Sequence, residues 1–219
     1  QLGGKNMWTS VNDYKQFANT FYSWTRDFSS VVYDGTHSDK RSDLITYQSY
    51  NEFSRGINSI PSSDANYTDN YKHIRRTNLL LQNAEAYAKP EDIKQYIGEA
   101  YFFRAYSYFD LLQLYGDVII TKKPLDITDP EMKVKRNDRS EVVDLIIDDL
   151  NHAVENLPAF KELTTEEEGR ISKEGAQAFL SRVALYEGTW QKSRNGNQNT
   201  QRSANLLDIA AKAARTVID

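Results

Sequence analysis

The sequence predicts an all-α chain of helical hairpins interrupted by a long irregular insertion. Three observations predict it. Apolar residues recur at three- and four-residue spacing along most of the chain, which marks one buried face of a helix. The breaks between those stretches carry cap and stop residues. One segment, 28–66, has no period at all.

The first helix is announced by Ser10-Val11-Asn12-Asp13, a capping box that satisfies the orphan donors of a first turn. Tyr14, Phe17, Ala18, Phe21, Tyr22 and Trp24 follow as an apolar stripe, and the pattern fades after Arg26-Asp27. From 28 to 66 the chain is Ser, Asp, Gly, Asn and aromatic residues, with turn signals at Asp34-Gly35 and Ile60-Pro61-Ser62. Long loops of this kind are uncommon in compact domains and often functional where they occur. Period returns with Tyr67, Tyr71, Ile74, Asn78, Leu81 and Ala84, and stops at Lys89-Pro90, where proline suits the first turn of a new helix. That helix, 91–115, spans roughly 36 Å at about 1.5 Å per residue and ends at Gly116, the residue that best takes the left-handed closing conformation. Gly98, Ala100 and Ala105 on it allow close helix approach.

An extended stretch, 117–121, leads into a polar connector with Pro124 and Pro130. Ser140 is the predicted cap of the next helix, whose stripe runs Val142, Leu145, Ile146, Leu150, Ala153 and Leu157, with Asp144, Asp148 and Asp149 on or beside its polar side and Pro158 as its stop. Its hairpin partner starts near Ser172 and runs toward Trp190. After a polar loop, 191–201, a last helix from Ser203 carries Leu206, Ile209, Ala210, Ala213 and Val217. The sequence offers this helix no partner, which predicts a single helical domain over 1–219 that continues past Asp219.

Two stretches repeat. Ala100-Tyr101-Phe102 with Arg104 and Tyr108 matches Ala178-Phe179-Leu180 with Arg182 and Tyr186 at the same spacing. Hairpins with small residues at contact positions and aromatics beside them look like tetratricopeptide units, which stack because one hairpin cannot bury its apolar face alone.

Composition narrows the function. Of 219 residues 39% are hydrophobic and 26% charged, as in an ordinary globular protein. A net charge of −4 gives no basic footprint for phosphates, so no nucleic-acid partner is expected. With no cysteine there is neither a disulfide nor a thiolate site. His37, His73 and His152 are isolated from one another, so no metal or other cofactor is expected. Asp148-Asp149 and Glu166-Glu167-Glu168 are adjacent acids that point different ways, and phosphate-cradling glycines and nucleophile elbows are absent. No enzyme is predicted.

The 28–66 segment has better-suited chemistry. Tyr33, Tyr47, Tyr50 and Phe53 alternate with Asp34, Asp39, Arg41, Asp43, Asn51 and Arg55. Sugars take an aromatic surface under their C–H face and charged or amide groups at their hydroxyls. The alternative is that these tyrosines anchor the loop onto the helices.

The segments Ile74-Arg75-Arg76-Thr77-Asn78, Gly98-Glu99-Ala100-Tyr101-Phe102-Phe103-Arg104-Ala105-Tyr106 with Phe109-Asp110-Leu111 and Tyr115-Gly116-Asp117-Val118, and Gly169-Arg170-Ile171-Ser172-Lys173 closely resemble the SusD/RagB family. Glu141-Val142 through Leu157-Pro158 and Ala184-Leu185-Tyr186 to Trp190 continue the match in order. The resemblance implies a binding protein lipid-anchored on the extracellular face of the outer membrane, which passes oligosaccharides, or peptides in some members, to a TonB-dependent SusC-like transporter. It also implies a tetratricopeptide-like scaffold on one side and a ligand site built from loops on the other. Family members often carry Ser-Asp-Glu near the start of the ligand loop, and Ser38-Asp39-Lys40 matches its first two positions. Starch-binding relatives use a loop tryptophan as a stacking platform, and 28–66 has none. The expected ligand contacts are therefore Asp39 and Arg41 as polar groups, with Tyr47, Tyr50 or Tyr67 as the platform. A tetratricopeptide-type adaptor that binds a protein and no small ligand is the competing expectation.

Overall fold

A computed structural model describes residues 7–26, 55–57, 59–194 and 200–218. Among the described residues the regular elements are helices: α1 Val11–Asn19, continued by a 3-10 segment Thr20–Trp24, α2 Ala65–Glu85, α3 Lys94–Tyr115, α4 Arg139–Asn156, α5 Lys173–Arg194 and α6 Thr200–Ile218. Each of α3 to α6 packs on the helix before it, so the chain stacks pairs in sequence order. The all-α, tetratricopeptide-like fold is as expected.

Helix ends follow local chemistry. At α1 the Ser10 hydroxyl accepts the Asp13 N–H at 3.3 Å while the Asp13 carboxylate accepts the Ser10 N–H at 2.8 Å, the reciprocal box predicted from the sequence. α2 starts two residues before its apolar stripe, because the Asp64 carboxylate caps it by accepting the Asn66 N–H at 2.9 Å. The turn before α3 is 3-10, Pro90–Ile93, with proline in its first turn. α3 stops at Gly116, whose φ of +72° favours glycine.

Several expectations are corrected. The cap of α4 is Asp138 and not Ser140, since the Glu141 carboxylate reaches back to the Asp138 N–H at 2.9 Å and places the box two residues earlier. The 117–121 stretch, read as extended, is not among these corrections, and it makes one isolated antiparallel bridge, Val118 to Asn137. α5 runs on to Arg194, and the last helix starts at Thr200. That last helix has a partner in α5. Leu206 and Leu207 lie 3.0–3.3 Å from where a Cβ on Gly188 would sit, and the Ser203 hydroxyl donates to the Gly188 carbonyl at 2.8 Å.

α3 is the centre of the molecule. Phe102, Phe103, Tyr108, Phe109, Leu111 and Leu112 are all buried, on every side of the helix. Each large side chain taken out of water contributes about 1.5–3 kcal/mol. The approach of α4 is close enough that a Cβ on Gly98 would stand 2.9 Å from Leu157 Cγ. α1 adds an aromatic cap, with Phe21 and Trp24 packed on Phe103 at centroid distances of 5.8 and 5.9 Å.

Because α3 is enclosed, it also buries charge. The repeat read from the sequence aligns Arg104 with Arg182, yet Arg104 is buried and Arg182 exposed. The residue types repeat and the environments do not, since α5 has one open side. Asp149, expected on or beside the polar face of α4, is fully buried against Arg104. Three arginine–carboxylate pairs staple the stack: Arg104 to Asp149 across α3 and α4 at 2.6 Å, Arg139 to Glu187 across α4 and α5 at 2.7 Å, and Arg170 to Glu99 at 2.7 Å. Burial pushes the Glu99 and Asp149 carboxyls up. Arg104 and Arg170 are raised, since burial lowers them but the hydrogen bonds and charge of their carboxylate partners together outweigh it.

Candidate functional site

The site is built around the first turns of α2, where 28–66 joins the scaffold. Of the predicted ligand contacts, Asp39, Arg41, Tyr47 and Tyr50 lie outside the described residues. Tyr67 is described. It stands in the first turn of α2, half-buried, with its ring against Tyr71 at 4.8 Å and edge-on to Tyr115 at 5.2 Å and 87°.

This tyrosine cluster is held from below. The Tyr115 hydroxyl donates to the Asp64 carboxylate at 2.7 Å, a bond that keeps the Asp64 carboxyl below its usual range and ties α3 to the start of α2. The Tyr71 hydroxyl donates to the Ile119 carbonyl at 2.8 Å, and burial pushes its pKa strongly up, so it stays a neutral donor. Asn78 donates to the carbonyls of Thr121 and Lys123 at 2.9 and 3.3 Å. The Tyr108 hydroxyl accepts the Thr121 N–H at 2.7 Å. These bonds pin the connector after α3 beside α2.

Between them lies a cleft of about 480 Å³, whose floor is Tyr67, Tyr71, Ile119, Leu125 and Met132. Its rim carries Lys72, Arg75, Lys123 and Glu131. The rim charges are matched: Lys72 pairs with Asp69 at 2.8 Å, Lys123 with Glu131 at 2.6 Å, and Arg75 approaches Asp126 at 3.8 Å. An aromatic and aliphatic floor under a balanced polar rim fits a neutral amphipathic ligand better than an anion. Tyr67, one of the expected ligand contacts, is among the residues that line it. Ile119, Leu125 and Met132 beside it were not read from the sequence, because the connector has no period to show which side chains face inward. The Tyr67–Tyr71 spacing of one turn was the available signal.

Among the described residues no group of three or more acidic or histidine side chains is placed to hold a metal ion, and no helix is long and apolar enough to cross a membrane.

A stack of helix pairs with a tyrosine-floored cleft at the start of α2 defines the class as a tetratricopeptide-like helical scaffold. The family is then given by comparison. The SusD-like family model described as starch-binding associating with outer membrane matches residues 5–185, and the chain belongs to this family. It is 33% identical over 133 residues to the SusD-like protein P38 of Formosa agariphila, a match covering 59% of this chain and 25% of that protein. Among solved structures it resembles a SusD-like protein from Bacteroides fragilis with a TM-score of 0.76 and 24% identity, over 100% of this chain and 40% of that one. It also resembles a laminarin-binding SusD-like protein with a TM-score of 0.60 and 28% identity, over 76% of this chain and 32% of that one. The chain thus spans a quarter to two fifths of the length of these relatives.

Proposed function

We propose that the whole protein captures glycan chains at the outer face of the outer membrane, held there by a lipid anchor, and passes them to a TonB-dependent SusC-like transporter without chemical change. The observation that carries this is membership, over residues 5–185, in a family described as starch-binding and outer-membrane-associated. A relative at 28% identity is named for laminarin binding, which supports a glycan as cargo. The helices described above are the scaffold part of that receptor. The ligand site combines 28–66, through Asp39, Arg41, Tyr47 and Tyr50, with the cleft at Tyr67. Aromatic rings take the C–H faces of sugar rings, and the carboxylate and guanidinium groups take hydroxyls.

A peptide cargo is the second reading, and the aliphatic part of the floor, Ile119, Leu125 and Met132, favours it. The adaptor reading has the stacked helices alone in its support. Calorimetric titration of the whole protein against soluble polysaccharides, oligosaccharides and a peptide mixture separates the three. Saturable binding to one glycan class identifies the cargo. Binding to peptides alone moves the protein to the second reading, and silence from every ligand moves it to the adaptor. Tyr47→Ala and Tyr50→Ala are expected to weaken glycan binding at unchanged helix content; unaltered affinity in both would remove those residues from the site.

A further inference from the structure

The connector between α3 and α4 carries a surface that glycan capture does not use. Lys133, Lys135 and Arg136 put three cations into the positions 133–136, with no acid among them. All three are exposed, and among the described residues none of them makes an ion pair or a hydrogen bond. The acids just before them are already committed. Glu131 is paired with Lys123 at 2.6 Å, Asp126 faces Arg75 at 3.8 Å, and the Asp129 carboxylate accepts the Asp126 N–H at 2.7 Å. In a chain whose net charge is −4, this is a local positive spot without compensation. Exposed aliphatics stand in the same stretch: Ile127 is 92% exposed and Val134 45%.

The turn that carries Ile127 is bonded in place. The Asp129 N–H donates to the Asp126 carbonyl at 2.9 Å, and the Met132 N–H to the Asp129 carbonyl at 3.0 Å. Downstream, the Asn137 N–H donates to the Val118 carbonyl at 2.9 Å while its Oδ1 accepts the Ile120 N–H at 3.0 Å. Single exposed aliphatics are ordinary on a protein surface. An aliphatic held out in water by a bonded turn, in one short stretch with three unpaired cations, is a different feature. Its chemistry is that of segments at the boundary between lipid headgroups and acyl chains, where cations meet phosphates and aliphatic groups sit just below them. A protein partner fits less well. Protein interfaces favour arginine and aromatic residues and are poor in lysine, whereas residues 122–136 hold four lysines and no aromatic.

We propose that this connector rests on an anionic lipid surface, with Lys133, Lys135 and Arg136 at headgroup phosphates and Ile127 and Val134 at the acyl boundary. Each cation near such a surface is worth about fivefold in partition. The contact is therefore weak alone and acts as a second hold beside a lipid anchor, since one acyl chain by itself gives only marginal binding. Met132, in the same turn, lies on the floor of the tyrosine cleft. A connector resting on lipid thus sets the height and tilt of that cleft over the membrane. The proposal goes beyond glycan capture and rests on the outer-membrane reading for its biological sense.

The test uses the whole protein without a lipid, labelled with an environment-sensitive fluorophore at Thr128→Cys, an exposed position beside Ile127. Thr189→Cys, exposed on α5, carries the control label. The probes are vesicles of phosphatidylcholine alone and of phosphatidylcholine with about 30% phosphatidylglycerol. A saturable blue shift at Thr128 with the anionic vesicles is expected, with none at Thr189 and none with phosphatidylcholine alone. It should fade as salt rises from about 0.05 to 0.5 M. The variant Lys133→Gln/Lys135→Gln/Arg136→Gln changes exposed side chains only and is expected to weaken partition about fivefold per charge. Ile127→Ser is expected to weaken it about three- to tenfold. A silent Thr128 label, an equal response at Thr189, an equal response to phosphatidylcholine alone, or unchanged partition in either variant would overturn the contact. If soluble polyglutamate moves the Thr128 label and anionic vesicles do not, the surface docks an acidic protein and the lipid proposal falls. Glycan binding by calorimetry with a silent Thr128 label would remove the lipid contact and leave capture standing. A Thr128 response in a protein that binds no glycan would do the reverse.

Discussion

Replacing Arg104 with methionine tests whether the buried pairs hold the stack. Arg104 and Asp149 have side chains 6% and 1% exposed. The guanidinium donates to both Asp149 oxygens at 2.8 and 2.6 Å and to Asn78 Oδ1 at 2.7 Å. Arg104→Met strands a carboxylate in the core, a loss of about 3–5 kcal/mol. Asp149→Leu strands the guanidinium at similar cost. The double variant removes both charges and leaves only the Asn78 oxygen unmet, at about 1–3 kcal/mol. The double variant is therefore expected to be no less stable than either single one, with a coupling energy of at least about 2 kcal/mol in a double-mutant cycle. Urea unfolding at pH 7, read as midpoint shifts at constant slope, measures it. There is also a pH signature. Without Arg104 the Asp149 carboxyl, already raised by burial, rises further. The folded state then takes a proton before the unfolded one does, so the deficit of Arg104→Met narrows as pH falls. Additive single variants, or a deficit that widens in acid, would refute the reasoning.

Gly98→Ala puts a Cβ 2.9 Å from Leu157 Cγ and 3.1 Å from Asn156 Cβ; overpacking of about 1–3 kcal/mol exceeds the helix-propensity gain of about 1 kcal/mol, so the melting temperature should fall, and a rise would show that α4 yields freely. His73, with a folded pKa of about 4 against an unfolded value near 6.5, favours the folded state fully above pH 6.5 and progressively less down to about pH 4. Discounted for its partial exposure, the loss is on the order of 1–2 kcal/mol; an NMR titration of its ring protons with a midpoint near 6.5 would contradict it. Tyr67→Ala removes the ring that overlies Tyr71 and Tyr115 while leaving their hydroxyl bonds in place, so glycan affinity should drop about tenfold with little change in melting temperature, whereas a large melting shift would make Tyr67 a packing residue.

The order and type of the helices were legible because apolar period and caps are local signals. Ser10 with Asp13, and Gly116, can be read from a few neighbours. The α4 start shows the limit. Asp138 and Ser140 both suit a cap, and only pairing each with the residue three positions on separates them, since Glu141 follows Asp138 and Val143 follows Ser140. What decides burial of charge lies farther away. Asp149 sits beside Asp148 in sequence, and its burial depends on Arg104, 45 residues earlier. The cleft was half legible for the same reason. Tyr67 and Tyr71 share a helix face and could be paired by spacing, but Ile119, Leu125 and Met132 join them through bonds from Tyr71, Asn78 and Tyr108 that no local pattern announces.

Those same bonds say what kind of site the tyrosine cleft is. Tyr71 and Tyr115 are tied to Ile119 and Asp64 before any ligand arrives, and Asn78 holds two connector carbonyls while its own oxygen is held by Arg104. The chain of contacts therefore runs from the buried Arg104–Asp149 pair through Asn78 to the connector wall of the cleft. A ligand meeting this wall finds most of its geometry already set, so little ordering cost is charged to binding. It follows that Asn78→Leu, which cuts the chain at its middle, should weaken binding at the cleft without touching its floor, and should do so by raising the entropic cost of binding in calorimetry while the contacts with Tyr67 remain. If instead affinity is unchanged when Asn78 is removed and the fold persists, the connector is held by Tyr71 and Tyr108 alone, and the buried pair serves the stack and not the site.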